Sequence, residues 1–250
     1  MANHRGDWEA LGEIDPLYAI LSAPDAKHGA WDEQAFLATG QADADRVMAA
    51  CAALGLPSRF GASFELGCGV GRITRALAGR FDRSVGVDIS QSMIDKAAAM
   101  NADRPTCEWL VNDVPDLQAF DDGSFDLVLS FIVLQHVPDR TAISSYLREM
   151  ARILAPGGAL VVQLPASMPL RQRVQWRRRA YRALKAIGVP ERTLYERLDL
   201  DPIRMNWLPR RDVEAAIRLG GATVVSVQDG WLGDGSRVGR ESNLTYIATR

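Results

Sequence analysis

The sequence predicts an α/β fold in which a mostly parallel sheet carries helices on both faces and ends in an antiparallel hairpin. Three observations predict it. An apolar run from Phe60 to Leu66 enters a cluster of alternating glycines and leaves as a helical pattern, Arg72 to Arg80. Phe125 to Val133 is nearly all apolar, as a parallel strand buried on both faces should be. Two strand patterns, Ala222 to Val227 and Asn243 to Thr249, follow one another across a loop holding Trp231, with no helix between them.

The bulk properties bound the function. A chain of 250 residues suits one α/β domain with an insertion. A hydrophobic fraction of 47% and a charged fraction of 24% describe an ordinary globule. A net charge of −2 argues against a nucleic-acid partner engaged through global charge. Cys51, Cys68 and Cys107 form no C-x-x-C, which fits a reducing cytoplasm and offers neither a disulfide framework nor a zinc site. His4, His28 and His136 are too scattered to suggest metal ligation. Met1 to Ala10 is too polar for a signal peptide, and no apolar run is long enough to cross a bilayer, so the expected location is cytoplasmic.

Residues 1–57 read as helical and precede the first strand. Trp8 to Leu21 is one expected helix, closed by Ser22-Ala23-Pro24, and Trp31 to Leu54 is a longer one interrupted at Gly40. Residues 58–250 follow as the main domain. Between Leu66 and Arg72 the loop Gly67-Cys68-Gly69-Val70-Gly71 frees the backbone for positive φ and for close approach of a ligand. The helix after it offers unpaired N–H groups to an anionic group. Ser84 to Val87 is the second strand and ends at Asp88, whose carboxylate can accept from both hydroxyls of a vicinal diol. Ser90 caps a helix from Gln91 to Met100, and Cys107 to Val111 is the third strand. Asp139 caps a helix from Arg140 to Leu154, after which Pro156-Gly157-Gly158 turns into a fifth strand, Ala159 to Leu164. Pro209 to Leu219 is the last helix of the core.

The glycine pattern is not the dinucleotide fingerprint, because a third glycine is required where Arg72 stands, and no Gly-Lys-Ser/Thr follows to make a phosphate loop. Glu65, Gly67, Gly69 and Gly71 instead resemble motif I of the class I S-adenosylmethionine (SAM)-dependent methyltransferases. The F-D-x-V run at Phe125 to Val128, the loop Leu134-Gln135-His136-Val137 and the turn Leu154-Ala155-Pro156-Gly157-Gly158 are similar to further elements of that family, in the same order over residues 60–165. The resemblance implies a Rossmann-like seven-stranded sheet, a helical N-terminal cap over the cofactor at residues 1–57, and SAM as cofactor. It implies that Glu65 orders the methionine ammonium and that Asp88 binds the ribose. Cys68, Ile89, Met93 and Val114 are placed near the cofactor, and Ser130 and Phe131 would offer backbone carbonyls to its ammonium. The adenine amino group would be read by Asp113, with Asn112 as its rival. For the cap, Tyr18, Trp31 and Phe36 are the candidate aromatics. His136 is the candidate general base by position and ordinary pKa, set against a purely structural histidine.

The expected activity is methyl transfer to a small molecule or a lipid-linked carbohydrate, with oxygen as the acceptor atom. Two other classes stand beside it: a SAM-binding regulatory protein without turnover, and a nucleotide-dependent oxidoreductase, which Arg72 disfavours. Residues 166–208 are an insertion outside the resemblance. Met168 to Gly188 reads as one helix with Arg171, Arg178, Arg179, Arg182 and Lys185 on one face and no acid of its own. It is either a solvated surface helix or a lid for an anionic substrate or membrane surface, with Trp31, Tyr181 and Arg178 as candidate substrate contacts.

Overall fold

The computed structural model describes residues 2–23, 25–232 and 242–250. The strands are β1 (Ala62–Leu66), β2 (Arg83–Asp88), β3 (Cys107–Val111), β4 (Phe125–Ser130), β5 (Leu154–Ser167), β6 (Thr223–Asp229) and β7 (Ser242–Thr249). They form one sheet in the order β3-β2-β1-β4-β5-β7-β6. The first five run parallel, and β7 pairs antiparallel with both β5 and β6. The chain order reverses between β1 and β4, so a crevice opens at their carboxyl ends.

β4 shows why the apolar run is unbroken. Val128 packs on one face against Phe64, Ile143, Leu147 and Ile217, while Leu127 and Leu129 pack on the other against Val47, Ile73 and Leu77. The first face is covered by α6 (Arg140–Arg152) and α10 (Arg210–Leu219), the second by α3 (Glu33–Ala52) and α4 (Arg72–Leu77). α5 (Gln91–Met100) packs along β2 and β3. The expected caps form: Ser90 Oγ accepts from the Met93 N–H, and Asp139 Oδ1 accepts from the Ala142 N–H at 2.8 Å. At the opposite edge, Asp126 Oδ2 accepts from the N–H groups of Gly61 and Ala62 and fixes the entry of β1.

Three helices differ from the sequence reading. The expected Trp8 to Leu21 helix is two, α1 (Ala2–Ile14) and α2 (Pro16–Ile20), because Pro16 has no N–H to continue the first and biases Asp15 to extended backbone. Gly40 does not interrupt α3. A Cβ there would lie 2.2 Å from the Arg72 carbonyl oxygen, so the glycine permits a close crossing of α3 over α4. The basic helix is also two, α7 (Leu170–Arg173) and α8 (Trp176–Ala186), separated at Gln175, whose φ of 48° is left-handed. α9 (Glu191–Glu196) completes the insertion. The expected loop of the terminal hairpin falls largely at residues 233–241, outside the described residues.

α1 lies across the carboxyl edge of the sheet. Glu9 Oε1 accepts from the Ser92 N–H at 2.9 Å, Arg5 pairs with Asp113 at 2.7 Å, and Asp7 meets Arg182 of α8 at 3.2 Å. α1 and α2 thus form the cover over the crevice, while α3 belongs to the helical layer on the sheet.

Candidate active site

The loop from β1 to α4 is held against β2 by its own amides. The N–H groups of Gly67 and Cys68 donate to the Val87 carbonyl at 2.7 and 3.0 Å, and that of Gly69 donates to Asp88 Oδ2 at 2.9 Å. Gly69 has a φ of 55°, and a Cβ there would come within 2.5 Å of Ile20 on α2. Glu65, at the end of β1, is 4% exposed. Its Oε2 accepts from the Thr74 N–H at 2.8 Å and from the Thr74 hydroxyl. Burial pushes its carboxyl up to about 7, with the Thr74 bonds and Arg72 pulling the other way. Burial likewise raises Asp88, against the backbone N–H groups of Ser90, Gly69 and Ile89.

Many of the sequence-predicted residues meet in one open cleft. Glu65, Gly67, Cys68 and Gly69 line it from β1 and its loop. Asp88, Ile89 and Met93 line it from β2 and α5, Asn112 from beyond β3, and Phe131 and His136 from beyond β4.

Others lie elsewhere. Gly71 is the N-cap of α4 and backs onto the Trp109 ring. Ser130 is buried, its hydroxyl donating to the Leu66 carbonyl at 3.2 Å. Asp113, favoured over Asn112 as the adenine reader, turns outward to Arg5, whereas Asn112 continues the ladder through its N–H to the Asp88 carbonyl and lines the cleft. Val114 is exposed. Trp31 donates from Nε1 to the Leu21 carbonyl at 3.0 Å and packs on Phe36, outside the cleft. Tyr181 is buried with Leu194 and Leu200 in a small core of the insertion. Arg178 lines a neighbouring cavity instead.

Several residues of the cleft escaped the sequence reading. Trp8 and His4 of α1, Ile20 of α2 and Tyr146 of α6 all line it. Arg72, noted only as a missing glycine, also lines it and is 4% exposed. Its guanidinium pairs with Asp43 of α3 and lies 5.7 Å from the Phe131 ring centroid. Phe131 stacks on Trp231 at 3.9 Å, and Trp231 Nε1 donates back to Asp43 at 2.8 Å. A glycine at position 72 would leave this buried network without its cation.

His136 sits between the cleft and the insertion. Its Nδ1 is 2.7 Å from the Arg204 carbonyl oxygen. That oxygen can only accept, so Nδ1 carries the proton and Nε2 keeps its lone pair. The Trp8 ring lies 5.5 Å away, centroid to centroid, and the Gln135 amide nitrogen 3.3 Å from Nε2. Burial lowers the His136 pKa, partly offset by the bond to Arg204, so the ring is neutral at pH 7.

A family model described as a methyltransferase domain matches residues 64–162, the span from the middle of β1 through β5. Over that span the chain carries a methyltransferase domain. Over 105 residues the chain is 39% identical to trans-aconitate 2-methyltransferase of Deinococcus radiodurans, covering 41% of this chain and 37% of that protein. It is 34% identical over 97 residues to the ubiquinone biosynthesis O-methyltransferase of Xanthomonas oryzae pv. oryzae, covering 38% of this chain and 39% of that one. The chain thus spans less than half the length of these curated relatives. In fold, the chain is similar to magnesium protoporphyrin IX methyltransferase from Synechocystis PCC 6803 with bound S-adenosylhomocysteine (SAH), at a TM-score of 0.61 and 20% identity, covering 100% of this chain and 98% of that one. A methyltransferase from Clostridium acetobutylicum aligns at a TM-score of 0.59 and 14% identity, over 82% and 89% of the two chains.

The cleft fits SAM on its own chemistry. Two acceptor-only carboxylates, Glu65 and Asp88, line it at the ends of adjacent strands. A carboxyl raised by burial, as Glu65 is, gains most from an approaching cation such as an α-ammonium. Asp88 keeps unused lone pairs beside its backbone bonds, enough for a ribose diol.

Proposed function

We propose that this methyltransferase transfers the methyl group of SAM to an oxygen of a small-molecule acceptor, with His136 as the general base. The observation that carries the reading is the bond from His136 Nδ1 to the Arg204 carbonyl, which leaves the basic Nε2 on a ring that lines the cofactor cleft. When bound, SAM supplies a methyl carbon activated by positive sulfur. The chain has the remaining work. Glu65 holds the ammonium and Asp88 the ribose, so the reacting end is fixed in place. Trp8, Ile20 and Val133 wall the cleft and exclude water. His136 Nε2 takes the proton of the attacking hydroxyl, and the Arg204 carbonyl steadies the resulting imidazolium through Nδ1–H. The Xanthomonas oryzae relative, named for O-methylation, supports oxygen as the acceptor atom.

The test is label transfer from methyl-tritiated SAM to fractionated small metabolites, lipid-linked glycans included, followed by degradation of the product. Label recovered as an alkali-labile methyl ester or an alkali-stable methyl ether supports the reading. Label found only on carbon, nitrogen or sulfur overturns it. Equilibrium titration with SAH checks the cofactor arm: Asp88→Ala should weaken binding by about tenfold, the scale of a lost charge-assisted hydrogen bond. Unchanged affinity would remove the ribose assignment.

A further inference from the structure

A second cavity, of about 140 Å³, lies between α1 and the insertion. Apolar cavities of about 150 Å³ admit a benzene ring, so a group of that size fits here. Trp8 and His4 line both this cavity and the cofactor cleft, so the two spaces share a wall. The remaining walls carry an excess of positive charge. Arg178 and Arg182 of α8 and Arg204 from the strand-free segment face Asp7 alone among carboxylates.

The three cations are not equally occupied. Arg182 meets Asp7 at 3.2 Å. Arg204 donates from Nη1 to the Pro138 carbonyl, a neutral partner. Arg178 makes no hydrogen bond or ion pair among the described residues, and its Nε is buried without a partner. Burial and the charges of Arg204 and Arg182 press its pKa down, with Asp7 the only opposing charge. A half-buried guanidinium beside two others, with its buried Nε–H unmet, is unfavourable in the empty protein. An oxyanion relieves all of it at once, because arginine presents a planar fork that matches carboxylate and phosphate.

Resting on the methyl-transfer reading, we propose that this cavity binds the non-reacting oxyanion of the methyl acceptor, a carboxylate or phosphate, through Arg178 and Arg204. The backbone of Arg204 orients His136 while its side chain lines the anion cavity. One residue therefore ties the acceptor's anchor to the base. An acceptor held by its anion and passing Trp8 brings its hydroxyl toward His136. The contrast with the neighbouring cations is instructive: Arg177 pairs with Asp199 and Lys185 with Glu191, so their charges are spent within the insertion.

The experiment uses the full chain, with and without saturating SAH, at constant ionic strength set with chloride. Succinate and inorganic phosphate are titrated while thermal midpoint and calorimetric heat are read. Saturable binding of at least one is expected. Arg178→Gln and Arg204→Gln should each weaken it about tenfold, the scale of a lost hydrogen bond to a charged group. Arg179→Gln, on the exposed side of α8, should leave it unchanged. Arg178→Gln breaks no bond and keeps helix propensity, so it stays folded and remains a clean test. Phosphate alone binding selects a phosphorylated acceptor, and succinate alone a carboxylic one. Absence of saturation by either anion, or wild-type affinity in both Arg178→Gln and Arg204→Gln, overturns the proposal. Loss of SAH binding in the wild type would instead overturn the cofactor reading, and the anion titration without SAH still reports on the cavity.

Discussion

Glu65→Gln separates the stability of the cleft from its function. The Glu65 carboxyl stands at about 7 against 4.5 for an ordinary glutamate, because burial penalises its charge. At about 1.4 kcal/mol for each tenfold change in proton affinity, that gap is worth roughly 3 kcal/mol as a ceiling. The folded protein holds this proton more tightly than the unfolded chain. Stability is therefore full below pH 4.5, falls as pH rises toward 7, and shows the whole deficit above it. Glutamine keeps an oxygen for the Thr74 N–H and hydroxyl but cannot ionise. The variant should match wild type near pH 5 and melt higher at pH 8, by up to about 6 to 12 °C in a domain of this size. SAH binding should weaken, because the carboxylate partner of the ammonium is gone. In the wild type, SAH affinity should rise with pH up to about 7 and then level, since binding favours the deprotonated carboxyl. Thermal scans of both proteins at pH 5 and pH 8, with SAH titrations, decide the matter. A variant that melts no higher than wild type at pH 8 and binds SAH equally well would refute the account of Glu65.

Two further outcomes follow from the same site. His136→Gln should lower kcat by about a hundredfold or more, the scale of general-base removal, with SAH affinity unchanged. In the wild type, kcat should fall as pH drops through a value below 6.5, since burial lowers the His136 pKa and only the neutral ring is a base. A variant with wild-type turnover ends the base assignment. Asp43→Ala leaves the Arg72 guanidinium buried without its carboxylate and should cost on the order of 3 kcal/mol, read as a lower urea midpoint. An unchanged midpoint would show that water or Phe131 suffices.

The sheet was legible because its signals are local. β4 is a nearly unbroken apolar run, and each strand ends at, or is followed directly by, a polar or glycine residue. Cleft residues at strand ends, Glu65, Gly67, Gly69 and Asp88, were legible for the same reason. What sequence could not give is the path of α1. Pro16 marks its end, but Glu9 on Ser92, Arg5 on Asp113 and Asp7 on Arg182 carry Trp8 over His136. Of the aromatics expected in the cover, Tyr18, Trp31 and Phe36, the last two pack on each other and against α2, outside the cleft. The basic helix misled in another way. Its own stretch holds no acid, so it read as a uniformly charged face, whereas Asp7, Asp199 and Glu191 reach it from other elements and pair with Arg182, Arg177 and Lys185. Asn112 and Asp113 differ by one position at a strand end, where which side chain turns inward depends on the ladder, not on composition.

The buried ring of contacts around Arg72 bears on where this chain can be cut. The stretch shared with the family runs from 64 to 162, yet Asp43 precedes it and Trp231 follows it. Phe131 and Arg72, inside the stretch, are both held by those outsiders. The matched stretch is therefore not a module that can be transplanted. A chimera that joins residues 64–162 to the flanks of another methyltransferase would inherit the glycine loop but strand a guanidinium beneath it. Successful recombination would have to carry Asp43, Arg72, Phe131 and Trp231 across together.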